Sequence, residues 1–163
     1  MMRTPFTSVL VIEGRFYDDI ADALLNGATQ ELAARGVAHE VMSVPGALEI
    51  PQVLASAIAA GLFGGGTGAG GARFGGCVAL GCVIRGETSH YDIVAGESAR
   101  ALMDIAIASN IALGNGILTV ETHAQAMARA RVDGRNKGRD AASACLAVME
   151  LQASFQPQPG ERI

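Results

Sequence analysis

The chain has 163 residues, half of them apolar, with five Phe, two Tyr and no Trp. That length suits one domain with a buried core, and the core has to be filled chiefly by Ala, Val, Leu and Ile. A formal net charge of −4 and a pI near 5.3 exclude a nucleic-acid coat, which needs a basic face. The apolar runs fall far short of the roughly 20 residues of a membrane span, and the N-terminus has no apolar h-region of a signal peptide. The expectation is a cytoplasmic protein with neither a membrane nor a nucleic-acid partner.

Strands alternate with helices along the chain. Residues 8–13 (SVLVIE) form a short apolar run, and residues 17–35 read as a helix that Gly36 ends in a left-handed conformation. Residues 38–44 are a second strand, stopped by Pro45 and Gly46. A second helix covers residues 48–60, where Pro51 is tolerated because it falls in the first turn.

Residues 76–84 (GCVALGCVI) are apolar without alternation, as in a strand covered on both faces. A long helix follows over residues 89–109, with Tyr91, Val94, Ala95, Ser98, Leu102, Ile105 and Ala106 as its buried stripe. Residues 111–118 supply a fourth strand. Helices near residues 121–130 and 139–155 complete a core spanning about residues 8–155, and residues 156–163 (QPQPGERI) read as a frayed tail.

Four strands, each followed by helix, predict a parallel four-stranded sheet in a three-layer α/β/α arrangement. Such sheets bind ligands beyond the C-terminal ends of their strands, where the strand order reverses. Chemistry is therefore expected in residues 13–17, 43–49, 84–90 and 115–119.

Cys77, Cys82 and Cys145 show no CxxC or Cys/His metal spacing. Cys77 and Cys82 lie five apart on one strand and point to opposite faces, so reduced, buried thiols are expected and no metal site is implied. Residues 61–76 hold nine glycines, and Gly66-x-Gly68-x-x-Gly71 formally matches a dinucleotide fingerprint. The context is wrong, because a true fingerprint follows a strand and opens a helix. This one follows a helix and precedes a strand, as a flexible connecting loop does.

Four segments carry candidate chemistry. In GCVIRGETSHYD (residues 81–92) a strand runs into Glu87, Thr88 and then His90 at a helix start. Ser89-x-x-Asp92 resembles a capping box, and free N–H groups there attract an anion. His90 could exchange protons with a phosphorylated substrate, although its own segment fits a solvated His equally well. In SVPGALEIP (residues 43–51) the turn exposes backbone around Ala47 and Leu48. Glu49 either complements the helix dipole or accepts hydrogen bonds from substrate hydroxyls.

Phe16, just beyond the first strand, is either core or a stacking face for a heterocycle. Arg129 and Lys137, in the basic run RARVDGRNKGRD, suit phosphate contact or a solvated face. His39 and His123 read as structural or solvent-facing.

Taken together and in this order, the segments resemble the lumazine synthase family over residues 8–155. The most specific matches are VPGALEIP at residues 44–51, LGCVIRGETSHYD at residues 80–92 and NKG at residues 136–138. The resemblance implies a flavodoxin-like fold and a defined reaction. The amine of 5-amino-6-ribitylaminouracil attacks the ketone of 3,4-dihydroxy-2-butanone 4-phosphate to form an imine. Phosphate leaves, and ring closure with loss of water gives 6,7-dimethyl-8-ribityllumazine.

No metal or organic cofactor is implied. Carried over by position, Phe16 would stack on the pyrimidine, and Ala47, Leu48 and Glu49 would hold the ribityl chain with help from backbone near Asn115. Val83 and Ile84 would line the pyrimidine pocket. Glu87, Thr88 and Arg129 would take the phosphate, and His90 would be the general acid/base. Lys137 matches a family lysine near the site.

Two positions depart from the family. Asn115 stands where many relatives carry an aromatic, leaving Phe16 as a single stacking partner, and Tyr17 replaces a common Asn. The family further implies a homo-oligomer with sites between subunits, and here a pentamer is expected rather than an icosahedral 60-mer, because Pro5 cannot donate to an added strand. Two other functions fit the same strand-end site: a module that holds a flavin or lumazine without turnover, and an inactive shell-forming homologue.

Overall fold

A computed structural model describes residues 8–64 and 72–157. In chain order the elements are β1 (Ser8–Gly14), α1 (Asp18–Ala34), β2 (Ala38–Val44), α2 (Glu49–Ala59), β3 (Gly76–Ile84), α3 (His90–Ser109), β4 (Ala112–Val120), α4 (His123–Ala130) and α5 (Lys137–Ser154). The strands form one sheet in the order β2-β1-β3-β4, parallel throughout. The predicted three-layer, flavodoxin-like α/β/α arrangement is the observed one.

Alternation along the strands divides the core in two. On one face Val9, Val11, Val78, Leu80, Ala112, Leu118 and Val120 pack against Leu24, Leu32, Ala142 and Leu146 of α1 and α5. On the other, Leu10, Ile12, Cys77 and Ala79 meet Ile50, Leu54 and Leu102 of α2 and α3. Cys77 and Cys82 thus belong to opposite faces, as a two-residue side-chain period requires.

Helix ends follow their sequence signals. Gly36 has φ +69°, its N–H bonds the Ala33 carbonyl, and Val37 N–H bonds that of Leu32. This is the paired closure of a Schellman motif. Asn110 does the same for α3, with φ +54° and with Ile111 N–H on the Ala106 carbonyl.

Several boundaries differ from expectation. α5 begins at Lys137 rather than 139, because Asn136 takes a left-handed φ of +49° and starts the helix two residues early. β4 runs on to Val120, so Asn115 is not beyond a strand end. It sits mid-strand in register with Ala79, and its Oδ1 accepts the Ile117 N–H at 2.9 Å. β4 is an edge strand, and the Asn115 side chain supplies an acceptor that no neighbouring strand provides.

The capping box at Ser89 and Asp92 does not form, since the Ser89 side chain caps nothing. Thr88 Oγ1 instead accepts the His90 N–H at 3.3 Å.

The glycine-rich connection is anchored at both ends, where the sequence suggested a flexible loop throughout. Phe63 and Phe74 form a parallel bridge with rings 5.6 Å apart, and Phe74 is fully buried. The Gly66, Gly68 and Gly71 fingerprint and residues 158–163 of the expected tail lie outside the described residues.

The NKG motif acquires a packing role. A Cβ at Gly138 would strike the Leu24 carbonyl, and one at Gly27 would strike Asn136 Oδ1. α1 and α5 therefore meet backbone to backbone. Gly138→Ala is expected to push them apart and lower stability by about 1–3 kcal/mol, the usual scale of overpacking. Thermal or urea denaturation measures it, and an unchanged midpoint contradicts the packing role.

Candidate functional site

The strand order reverses between β1 and β3, since β2 lies outside β1 while β3 joins its other side. Loops leaving β1, β2 and β3 therefore part around a cleft, as expected of a parallel sheet. The cleft measures about 380 Å³ and is lined by Phe16, Tyr17, Pro45–Glu49, Cys82–Ile84, Gly86, Thr88, His90, Tyr91 and Val94. Among the predicted site residues, Phe16, Ala47, Leu48, Glu49, Val83, Ile84, Thr88 and His90 converge on it.

Each wall follows from local structure. Phe16 follows the end of β1 and is 73% exposed, with Tyr17 against it edge-on at 4.9 Å. The second wall turns through Pro45 and Gly46 into α2, with Glu49 N–H bonded to the Gly46 carbonyl and Ile50 N–H to that of Ala47. That tight turn brings the Glu49 carboxylate into the cleft lining. Val83 and Ile84 close β3 as an apolar floor.

Beyond the floor, residues 85–89 link β3 to α3 without regular structure. Arg85 N–H bonds the Val120 carbonyl. The N–H groups of Gly86, Glu87, Thr88 and Ser89 have no acceptor among the described residues. Together with the start of a 20-residue helix, they form an anion-attracting rim beside His90.

Four predicted residues lie elsewhere. The exposed Glu87 does not line the cleft, so only its backbone could serve an anion there. Asn115, Arg129 and Lys137 are also absent from the lining. Lys137 pairs with Asp140 at 3.3 Å. Arg129 reaches only the Gln125 carbonyl, at 3.0 Å, and has no carboxylate partner among the described residues, unlike most of the other arginines. The cleft, correspondingly, has no Lys or Arg in its lining among the described residues.

His123 Nε2 donates to the Asp19 carboxylate at 2.7 Å on the surface, in keeping with a structural role.

Sequence reasoning missed part of the wall. Tyr91 and Val94 were assigned to the buried stripe of α3, yet they are half-buried and face the cleft. Near the start of α3 these inward residues border the cleft instead of packing wholly into the core. Arg85 lies 4.2 Å over the Tyr91 ring and pairs with Glu121 and Asp92. That stack fixes the Tyr91 ring next to His90. The available signal was an Arg and a Tyr on either side of the short link into α3.

A parallel α/β sheet with a largely apolar cleft at its topological switch, edged by an anion-attracting rim, defines a small-molecule-binding protein of the flavodoxin-like class. Residues 7–153 match the family described as 6,7-dimethyl-8-ribityllumazine synthase. A protein of that name from Methylorubrum extorquens (strain PA1) is 55% identical over 94% of this chain and 85% of its own length. The one from Methylobacterium nodulans is 58% identical, over 95% and 83%. A protein of Rhizobium meliloti, 6,7-dimethyl-8-ribityllumazine synthase 1, is 55% identical over 88% and 90%. The chain belongs to the 6,7-dimethyl-8-ribityllumazine synthase family.

Cys82 is the one thiol in the cleft lining, and burial pushes it up to about 12. Burial also pushes Cys145 up to about 12 and raises Cys77 well above the ordinary thiol range. Because only the thiolate is nucleophilic, the folded protein at pH 8 is expected to resist thiol reagents, with all three cysteines titrating after denaturation. Rapid stoichiometric labelling of the native protein contradicts that assignment.

Proposed function

We propose that this protein is a 6,7-dimethyl-8-ribityllumazine synthase. It joins 5-amino-6-ribitylaminouracil to 3,4-dihydroxy-2-butanone 4-phosphate with release of phosphate and water, in riboflavin biosynthesis. The observation that carries the proposal is the meeting of an aromatic face, a carboxylate-bearing turn and an anion rim with a histidine in one cleft.

Phe16 offers its exposed face to the pyrimidine, with Val83 and Ile84 beneath. Glu49 and the backbone around Ala47 and Leu48 hold the ribityl hydroxyls. The free N–H groups near Glu87 and Thr88 hold the phosphate. His90, at the first position of α3, donates and accepts protons during imine formation and phosphate departure. Much of the acceleration comes from holding two substrates together in reactive geometry, and the apolar floor limits water around the imine.

A phosphate site without a cation is incomplete, and Arg129 carries an unneutralised charge away from the cleft of its own chain. These two facts support a homo-oligomer, a pentamer, in which Arg129, and with it Asn115 and Lys137, faces the cleft of a neighbouring subunit. Exposed Ile93, Met103 and Ile107 along α3 are apolar surface that association would cover.

Turnover is tested by mixing both substrates and following lumazine absorbance together with phosphate release. His90→Ala is expected to slow that reaction by roughly ten- to a thousandfold, the scale of acid–base catalysis, with little loss of binding; an unchanged rate removes His90 from the mechanism. Tight binding of a flavin or lumazine without product would favour a binding module instead.

For the shared site, the impaired His90→Ala and Arg129→Ala chains are unfolded, mixed and refolded together. Partial activity should return, because some neighbouring pairs then hold one intact site. Failure to complement, or a monomer in sedimentation at low micromolar concentration, contradicts the intersubunit arrangement.

A further inference from the structure

The segment that carries Phe16 is fastened by a charged cluster for which the proposed reaction has no direct use. Glu13, the last but one residue of β1, is 3% exposed. Its carboxylate accepts the Ser43 hydroxyl of β2 at 2.8 Å and Nη1 of Arg15 at 2.9 and 3.1 Å. The same guanidinium gives Nε to Asp18 at 2.9 Å and Nη2 to Asp22. All three nitrogens thus meet carboxylates on β1 and α1. The hydrogen bonds it donates to Asp22 and then to Glu13 raise the Arg15 pKa further.

The backbone is fastened at the same place. Arg15 N–H bonds the Val44 carbonyl at 2.9 Å. A Cβ at Gly14 would lie 2.9 Å from the Gly46 carbonyl carbon and 3.3 Å from the Ala47 nitrogen, so only glycine lets the two loops touch.

We propose that Arg15 is a positioning residue for substrate. Clamped between Glu13, Asp18 and Asp22, it fixes the direction in which Phe16 leaves β1 and the spacing between that ring and the Ala47–Glu49 turn. This rests on the assignment of Phe16 to the pyrimidine. Phe16 is nearly free of packing, at 73% exposure, with the edge of Tyr17 as its aromatic neighbour. Its presentation is therefore set by the backbone beneath it, and the backbone is set by Arg15. A guanidinium engaged by three carboxylates has no donor fork left for a phosphate, although Arg15 lies one residue from the cleft lining.

Removing Arg15 alone leaves a buried carboxylate unpaired, which destabilises a fold strongly. The informative variant is Glu13→Gln combined with Arg15→Met, which removes both charges and keeps an acceptor for Ser43. Each substrate is varied separately in steady-state kinetics, and binding of a ribityl-lumazine is followed by fluorescence.

KM for the ribitylaminopyrimidine and the ribityl-lumazine Kd are expected to rise about three- to tenfold, the scale of one aromatic contact. kcat and KM for the keto-phosphate should stay within about twofold. Adding Phe16→Ala should then cost no more than Phe16→Ala alone, because the two changes remove one contact. Arg15→Lys, with Glu13 kept, should recover part of the affinity.

A rise confined to the keto-phosphate KM overturns the proposal, because Arg15 would then be a phosphate contact. So do unchanged kinetics with a lowered melting temperature, and so does full additivity with Phe16→Ala. If the wild type binds ribityl-lumazine without turning substrates over, the catalytic reading fails while the binding measurements still decide the role of Arg15.

Discussion

Helix α5 rests on β4 and α1 at places where no side chain intervenes. Gly114 faces the Ala141 carbonyl, and Gly138 faces that of Leu24, each so closely that a methyl group would collide with backbone. A parallel sheet has to be covered on both faces, and here one cover is drawn down to backbone contact. Val9, Val11, Val78 and Leu80 are consequently sealed beneath α1 and α5 with little volume to fill. This explains how a core with so few aromatic side chains closes, since small residues shorten the distances that Phe or Trp would otherwise span.

That close cover is also what leaves the other end of the sheet free for chemistry. Strand C-termini are held in the sheet while the loops beyond them border the cleft. Because β1 sends its connection one way and β3 the other, the loops part instead of covering one another. The cleft between them is walled by residues of three separate segments, each anchored to a different strand. Charge is distributed accordingly: the lining holds Glu49 and His90 as its titratable polar groups together with Tyr17, Cys82 and Tyr91. The arginines around it are spent on carboxylates at Glu13, Asp18, Asp22, Asp92 and Glu121. Arg129, like Arg135, has no carboxylate partner among the described residues, and it does not line the cleft of its own chain.

The fold was legible because its signals are local. Continuous apolar runs marked the buried strands, Gly36 marked a helix end, and Pro51 in a first turn marked a helix start. The three strand-end segments of the cleft followed from the rule for parallel sheets before any resemblance was used. What failed were readings that needed a neighbour to decide them. Ser89 and Asp92 have the spacing of a capping box, but Thr88 bonds the His90 N–H instead. Asn115 was expected near the ligand-binding end of the fourth strand, but β3 stays paired with β4 through Val120, which leaves it mid-strand. Tyr91 and Val94 share the period of a buried stripe, and periodicity cannot tell a residue that borders a cleft from one sealed in the core.

The sequence by itself determined the three-layer parallel α/β architecture, the candidate aromatic, carboxylate, anion and histidine segments, and the family. Hydrophobic period, turn residues and contiguous motifs are properties of neighbours along the chain. Tertiary structure decided which of those segments share a cleft, that Glu87, Asn115, Arg129 and Lys137 do not line it within one chain, and that Asn136 and Gly138 of the NKG motif serve helix packing. It alone revealed the joining of Glu13 and Arg15 to Ser43, Asp18 and Asp22. Glu13, Ser43, Asp18 and Asp22 come from two strands and a helix, and only sheet register and helix phase gather them around Arg15 and its Glu13 partner.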